Sequence, residues 1–215
     1  MPWTTDERKA KIYYEKTGKG QAFIFIHPPG MGHVTYRGQK EVLKEQFTVI
    51  TVDLRGNGRS GVDEQGFSIN VIAEDVIRVF DECNISSAYI CGYSLGGSVA
   101  QQLAISYPHR VKGIIIIGGF PEVNSFLLKN QFRVGISTSA LNMGKLIANV
   151  LAIAHEKNEQ KRNDLAQYIE HTPPQILKEY YKAGLQHKTT DKLHRITCPT
   201  LLIYGVRDDY VHHYR

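Results

Sequence analysis

Five short runs along the chain are almost unbroken in apolar residues: 22–26, 48–52, 88–91, 113–117 and 200–204. A half-wet strand alternates apolar and polar positions, whereas strands without alternation suit a parallel sheet covered by helices on both faces. Between the runs, Ile69, Ile72, Val76, Val79, Phe80 and Cys83 recur at steps of three and four. That spacing predicts an amphipathic helix opening near Ser68. A second helix is predicted from Leu95 to Tyr107, stopped by Pro108. The amino-terminal run from Lys11 to Glu15, closed by Gly18 and Gly20, is expected to add a strand at an antiparallel edge. This β-α-β order predicts an α/β domain with right-handed crossovers.

The rhythm breaks once. Between Gly118 and Pro199 there is no buried-strand run. Leu141, Leu146, Ile147, Val150, Leu151 and Ala154 form one helical stripe there, and Ile176, Leu177, Tyr180, Tyr181 and Leu185 form another, after a start at Thr172 and Pro173. The chain therefore divides into residues 1–120, the first part of the core; 121–195, a helical insertion; and 196–215, the return to the core. An insertion at this place is expected to act as a lid, because the neighbouring strand ends carry the chemistry.

That chemistry is clearest at Tyr89-Ile-Cys-Gly-Tyr-Ser-Leu-Gly-Gly97. The pattern Gly92-x-Ser94-x-Gly96 follows a predicted strand and opens a predicted helix, which is the setting of a nucleophile elbow. A serine at the tip of so tight a turn needs neighbours without bulk two residues before and two after. The helix start behind it offers free N–H groups and a positive dipole end to an oxyanion. A second glycine cluster, Gly56-Asn-Gly58-Arg-Ser-Gly61, matches the form of a dinucleotide loop. Residues 62–66 intervene before any helix, and Glu74 and Asp75 lie inside that helix rather than at a strand end, so nucleotide binding is not expected.

Four stretches taken together resemble the α/β-hydrolase superfamily, in its lid-bearing serine esterase and lactonase form. They are residues 25–30, 52–60, 92–97 and 196–208. The resemblance implies an α/β-hydrolase fold, a mostly parallel sheet with a helical lid between late strands. It implies Ser94 as nucleophile and Asp208 as the triad acid, from Gly205-Val-Arg-Asp208-Asp-Tyr-Val211, with Asp209 as the alternative. The oxyanion donors are expected at the Leu95 N–H and in the loop His27-Pro28-Pro29-Gly30-Met31-Gly32. This loop departs from the family's His-Gly form. Prolines 28 and 29 have no N–H, so Gly30 or Met31 must donate. His27 is read as a structural ring.

The resemblance also implies a histidine base after one more helix and strand. Only seven residues follow Asp208, so that last strand and helix, and the base, are expected to lie beyond this chain. An exposed sheet edge beside the strand at 199–204 is expected in consequence. The implied activity is hydrolysis of carboxylic esters, lactones or related acyl compounds. Carbon–carbon bond hydrolysis, thioester cleavage, perhydrolysis and a non-catalytic ligand-binding or signalling role remain open, whereas a serine nucleophile disfavours aspartate-dependent dehalogenation and epoxide opening.

Composition narrows the partners. Over 215 residues the chain carries 26 Lys+Arg against 21 Asp+Glu, a formal +5. Its densest basic stretch, Arg8 to Lys19, is interleaved with Glu7 and Glu15, a solvated face rather than a polyanion site. A small-molecule acyl substrate is expected, with neither nucleic acid nor membrane as partner. Cys83, Cys91 and Cys198 are an odd number set far apart, which suits a reduced, cytoplasmic setting, and Cys83 and Cys91 are read as packing residues. The scattered His155, His171, His187 and His194, and the adjacent His212 and His213, lack metal-ligand spacing, so neither metal nor cofactor is expected.

Overall fold

The computed structural model describes residues 2–6 and 9–206. The strands are β1 (Tyr14–Thr17), β2 (Gln21–Ile26), β3 (Phe47–Val52), β4 (Ala88–Tyr93), β5 (Val111–Ile117) and β6 (Thr200–Ile203). They form one sheet in the order β1-β3-β2-β4-β5-β6. β1 runs antiparallel to β3 at one edge, and every other pairing is parallel. This is the α/β-hydrolase arrangement that the sequence predicted, antiparallel edge included.

Helix α1 (Arg37–Leu43) lies on one face; α2 (Ile69–Glu82) and α3 (Leu95–Ser106) lie on the other. Ser68 caps α2, its side chain accepting the Val71 N–H. The period-two alternation of strand side chains divides the core. Ile24, Ile26, Ile50, Val52 and Ile90 pack with α2 and α3, whereas Phe25, Val49 and Cys91 pack on the α1 side with Tyr36.

Four helices follow β5: α4 (Phe126–Ala140), α5 (Gly144–His155), α6 (Glu159–Glu170) and α7 (Pro174–Gln186). Here the expected stripe on α5 needs correction. Leu141, Leu146 and Val150 are exposed, and the buried face carries Ile147, Ala148 and Ala152. The helix is apolar on nearly every side, so periodicity could not say which side turns inward. β6 differs too. It reads as a buried strand, yet Leu201, Leu202 and Ile203 stay about half exposed, because among the described residues β5 is its only neighbour in the sheet.

Candidate active site

Ser94 sits between the last residue of β4 and the first of α3, at φ 53° and ψ −122°. A left-handed φ at a side-chain-bearing residue costs on the order of 1–3 kcal/mol and persists only where the surroundings enforce it. The Ser94 N–H donates to the Ile117 carbonyl and its own carbonyl accepts from the Gly97 N–H, both at 2.8 Å. The glycines are steric necessities. A Cβ on Gly92 would lie 2.2 Å from the Gly96 carbonyl oxygen, and one on Gly96 would lie 2.3 Å from that of Ile26. β2, β4 and α3 thus approach closely enough to lift Ser94 to the sheet's carboxyl end. The Leu95 N–H belongs to the first turn of α3, which has no intrahelical acceptor to offer.

The loop at 27–32 faces this helix start. His27 is fully buried; its Nδ1 donates to the Pro28 carbonyl at 2.6 Å and its Nε2 accepts from the Leu54 N–H at 2.9 Å. Burial pushes this ring down to about 4, so it is neutral near pH 7, as a structural tie would be. The two expected donor positions are both engaged. The Gly30 N–H donates to Asn57 Oδ1 at 2.7 Å, and the Met31 N–H reaches back to the Pro28 carbonyl at 3.3 Å. Asn57 is itself held, donating to the Leu54 and Arg55 carbonyls.

The neighbouring loop at 53–60 joins core to insertion. Asp53 accepts from the His33 and Arg59 N–H groups at 2.7 and 3.0 Å, and from the Tyr168 hydroxyl on α6 at 2.6 Å. Burial alone would raise the Asp53 carboxyl, but the His33 ring, then His27 and the Tyr168 hydroxyl, outweigh it and hold the group below the usual aspartate range. Buried Arg55 meets Asp75 through two bonds, at 2.6 and 2.9 Å, and its carbonyl accepts from the Tyr180 hydroxyl on α7. The glycine cluster 56–61 is therefore part of a loop clamped under helices.

Ser94 and Leu95 open on a cavity of about 120 Å³. Pro28, Pro29 and Met31 line it together with Gln131 and Phe132 of α4, Leu151 and His155 of α5, and Tyr181 of α7. Gly135 lets α4 and α7 meet here, since a Cβ would lie 2.6 Å from the Tyr181 ring. Burial raises the Tyr181 hydroxyl's pKa, so it stays a neutral donor. His155 accepts from the Tyr93 hydroxyl at Nε2 (2.8 Å) and donates from Nδ1 to the Leu151 carbonyl (2.7 Å). Among the described residues, His155 is the one histidine lining this cavity.

Of the residues singled out in the sequence, Ser94, Leu95 and Met31 line one cavity, with Gly30 in the same loop. Asp208, its alternative Asp209, and His212 and His213 lie outside the described residues. Asn57, Tyr93 and Tyr181 stood in the patterns above without a role of their own and Tyr168 was not singled out; the fold gives all four their contacts here. Among the described residues, no three His, Cys, Asp or Glu side chains form a cluster that could hold a metal.

The family model for the alpha/beta hydrolase fold matches residues 21–215. The chain belongs to the α/β-hydrolase superfamily. It is 29% identical to 3-oxoadipate enol-lactonase 1 of Acinetobacter baylyi over 196 residues, covering 87% of this chain and 71% of that protein. It is also 29% identical to the pimeloyl-(acyl-carrier protein) methyl ester esterase of Aeromonas hydrophila, over 93% of this chain and 82% of the relative. Among solved structures, a thermophilic esterase from Thermogutta terrifontis superposes with a TM-score of 0.80 at 23% identity, covering 95% of this chain and 78% of that one. The expectation of an enzyme of the α/β-hydrolase superfamily, a hydrolase, holds.

Proposed function

We propose that this α/β-hydrolase cleaves small carboxylic esters or lactones by attack of the Ser94 hydroxyl on the acyl carbon. One observation carries the reading: Ser94 is held at a left-handed φ at the mouth of α3, and it and Leu95 both line one small cavity. Relatives named as an enol-lactonase and a methyl ester esterase support this substrate class.

In this reading the Leu95 N–H is one oxyanion donor, pre-aligned by the helix start. Gly30 or Met31 supplies the second, on condition that its N–H leaves the Asn57 side chain or the Pro28 carbonyl when the acyl oxygen arrives. Asp208 is the acid that orients a histidine base. His155 differs from such a base in that a backbone carbonyl, not a carboxylate, faces its Nδ1. Helices α4 to α7 serve as the lid, excluding water from the acyl group and shaping a mainly apolar pocket. A cavity of about 120 Å³ favours short or compact acyl groups.

The test is labelling by a fluorophosphonate probe, with p-nitrophenyl acetate turnover measured alongside. Labelling of the wild type at Ser94, lost in Ser94→Ala, is expected. Identical behaviour of the two proteins would sink the assignment.

A further inference from the structure

The outer surface of the insertion is unusual for a protein in water. From Leu146 to His155, α5 holds no charged residue, and Asn149 and His155 are its only polar ones. One face is accounted for, since Ile147, Ala148 and Ala152 are buried. The opposite face is not. Met143, Leu146, Val150 and Ile153 follow one another at steps of three and four, and the last three are 48%, 57% and 66% exposed. Leu141, at the α4–α5 corner, is 71% exposed and extends the stripe. Helices that are apolar on every side are normally buried, and a continuous exposed stripe of this kind marks a surface that meets something.

Charge indicates what it meets. From Val123 to His155 the chain has no acidic residue, while Lys129, Arg133 and Lys145 carry three positive charges, so the insertion's outer helices hold most of the formal +5. An exposed aliphatic stripe that starts beside Lys145, on a helix too short to span a bilayer and following a helix with exposed Lys129 and Arg133, suits a lipid–water interface. A second copy of this chain is the poorer occupant, because a self-complementary pairing would bring two such cationic helix pairs together with no acidic residue between 123 and 155 to offset them.

We propose that the α4–α5 corner and the outward face of α5 dock on an anionic lipid surface. The expectation of no membrane partner rested on the densest basic stretch, Arg8 to Lys19, which is interleaved with acids; the exposed apolar stripe on α5, by contrast, shows only in the fold. This inference does not rest on the role of Ser94.

Flotation of the 215-residue polypeptide with phosphatidylcholine vesicles, with and without phosphatidylglycerol, tests it. Binding to the anionic vesicles at low salt is expected, weakening as salt rises. Val150→Glu combined with Ile153→Glu, at exposed positions away from the cavity, should abolish flotation while leaving the circular dichroism spectrum unchanged. The combined Lys129→Gln, Arg133→Gln and Lys145→Gln variant should lose about a hundredfold in vesicle affinity. Three results would overturn the proposal: no flotation of the wild type, equal binding to neutral and anionic vesicles, or flotation indifferent to both variants. A concentration-dependent dimer that Val150→Glu dissolves would assign the face to a second copy and overturn it equally.

Discussion

The Tyr168 hydroxyl of α6 donates to Asp53 Oδ2 at 2.6 Å and lies 3.0 Å from His33 Nδ1. It ties the helical insertion to the loop after β3 at a point where Asp53 is buried. Tyr168→Phe keeps the ring and removes this tie. The variant should lose about 1.5–3 kcal/mol, the range for a hydrogen bond to a charged group, in a urea titration. The same change should raise the Asp53 pKa, because the hydroxyl helps to lower it. A carboxylate with a depressed folded pKa contributes stability above its unfolded value, near 3.9, and loses that contribution as pH falls through the folded one. The wild type should therefore outlast the variant on acidification below about pH 4.

Fully buried His27 and half-buried His187 set a second acid limit. Burial drives both His27 and His187 down to about 4, with Lys192 adding to the effect at His187. Unfolding lets these rings take up protons near the ordinary histidine pKa, about 6.5, while the folded rings resist until about pH 4. Stability should thus be full above about pH 6.5 and fall progressively from there toward pH 4. For fully buried His27 the loss is on the order of 3 kcal/mol. Its ring protons, followed by NMR, should show no titration near pH 6.5; a midpoint there would contradict the burial argument.

Asn57 holds the Gly30 N–H and two backbone carbonyls, so Asn57→Ala strips three hydrogen bonds from a buried loop. A loss of about 1–3 kcal/mol is expected. The diagnostic reading is hydrogen exchange at the Gly30 amide, which should accelerate at least about tenfold beyond the global change. Unchanged protection would mean that Asn57 is not what occupies this amide.

Gly96→Ala places a methyl group 2.3 Å from the Ile26 carbonyl oxygen. Backbone cannot yield as a side-chain tip can, so α3 must move off β2 and carry the Leu95 N–H with it. The variant should lose reactivity at Ser94 even under conditions where circular dichroism shows it folded. Wild-type labelling by a fluorophosphonate in folded Gly96→Ala would show that the close approach is dispensable.

The parallel strands, the capped start of α2 and the elbow were legible because each is local: an unbroken apolar run, a serine before a helical stripe, glycines two residues either side of Ser94. The inward face of α5 was not, since Leu146 and Val150 are as apolar as Ile147 and Ala148 and no local rule ranks them. The proposed donors beside Ser94 were half legible. Pro28 and Pro29 excluded themselves for want of an N–H, but nothing near Gly30 in sequence reveals that Asn57, 27 residues on, takes its amide.

By itself, then, the sequence determined the α/β-hydrolase architecture and the position of the candidate nucleophile, because periodicity and turn sterics act over a few residues. Only the tertiary structure decided that Tyr168 would seal Asp53, that Asn57 would engage Gly30, and that α5 would show an apolar stripe to solvent. Those outcomes depend on which surfaces meet across the sheet and the insertion, and packing of that kind is settled by the whole chain at once.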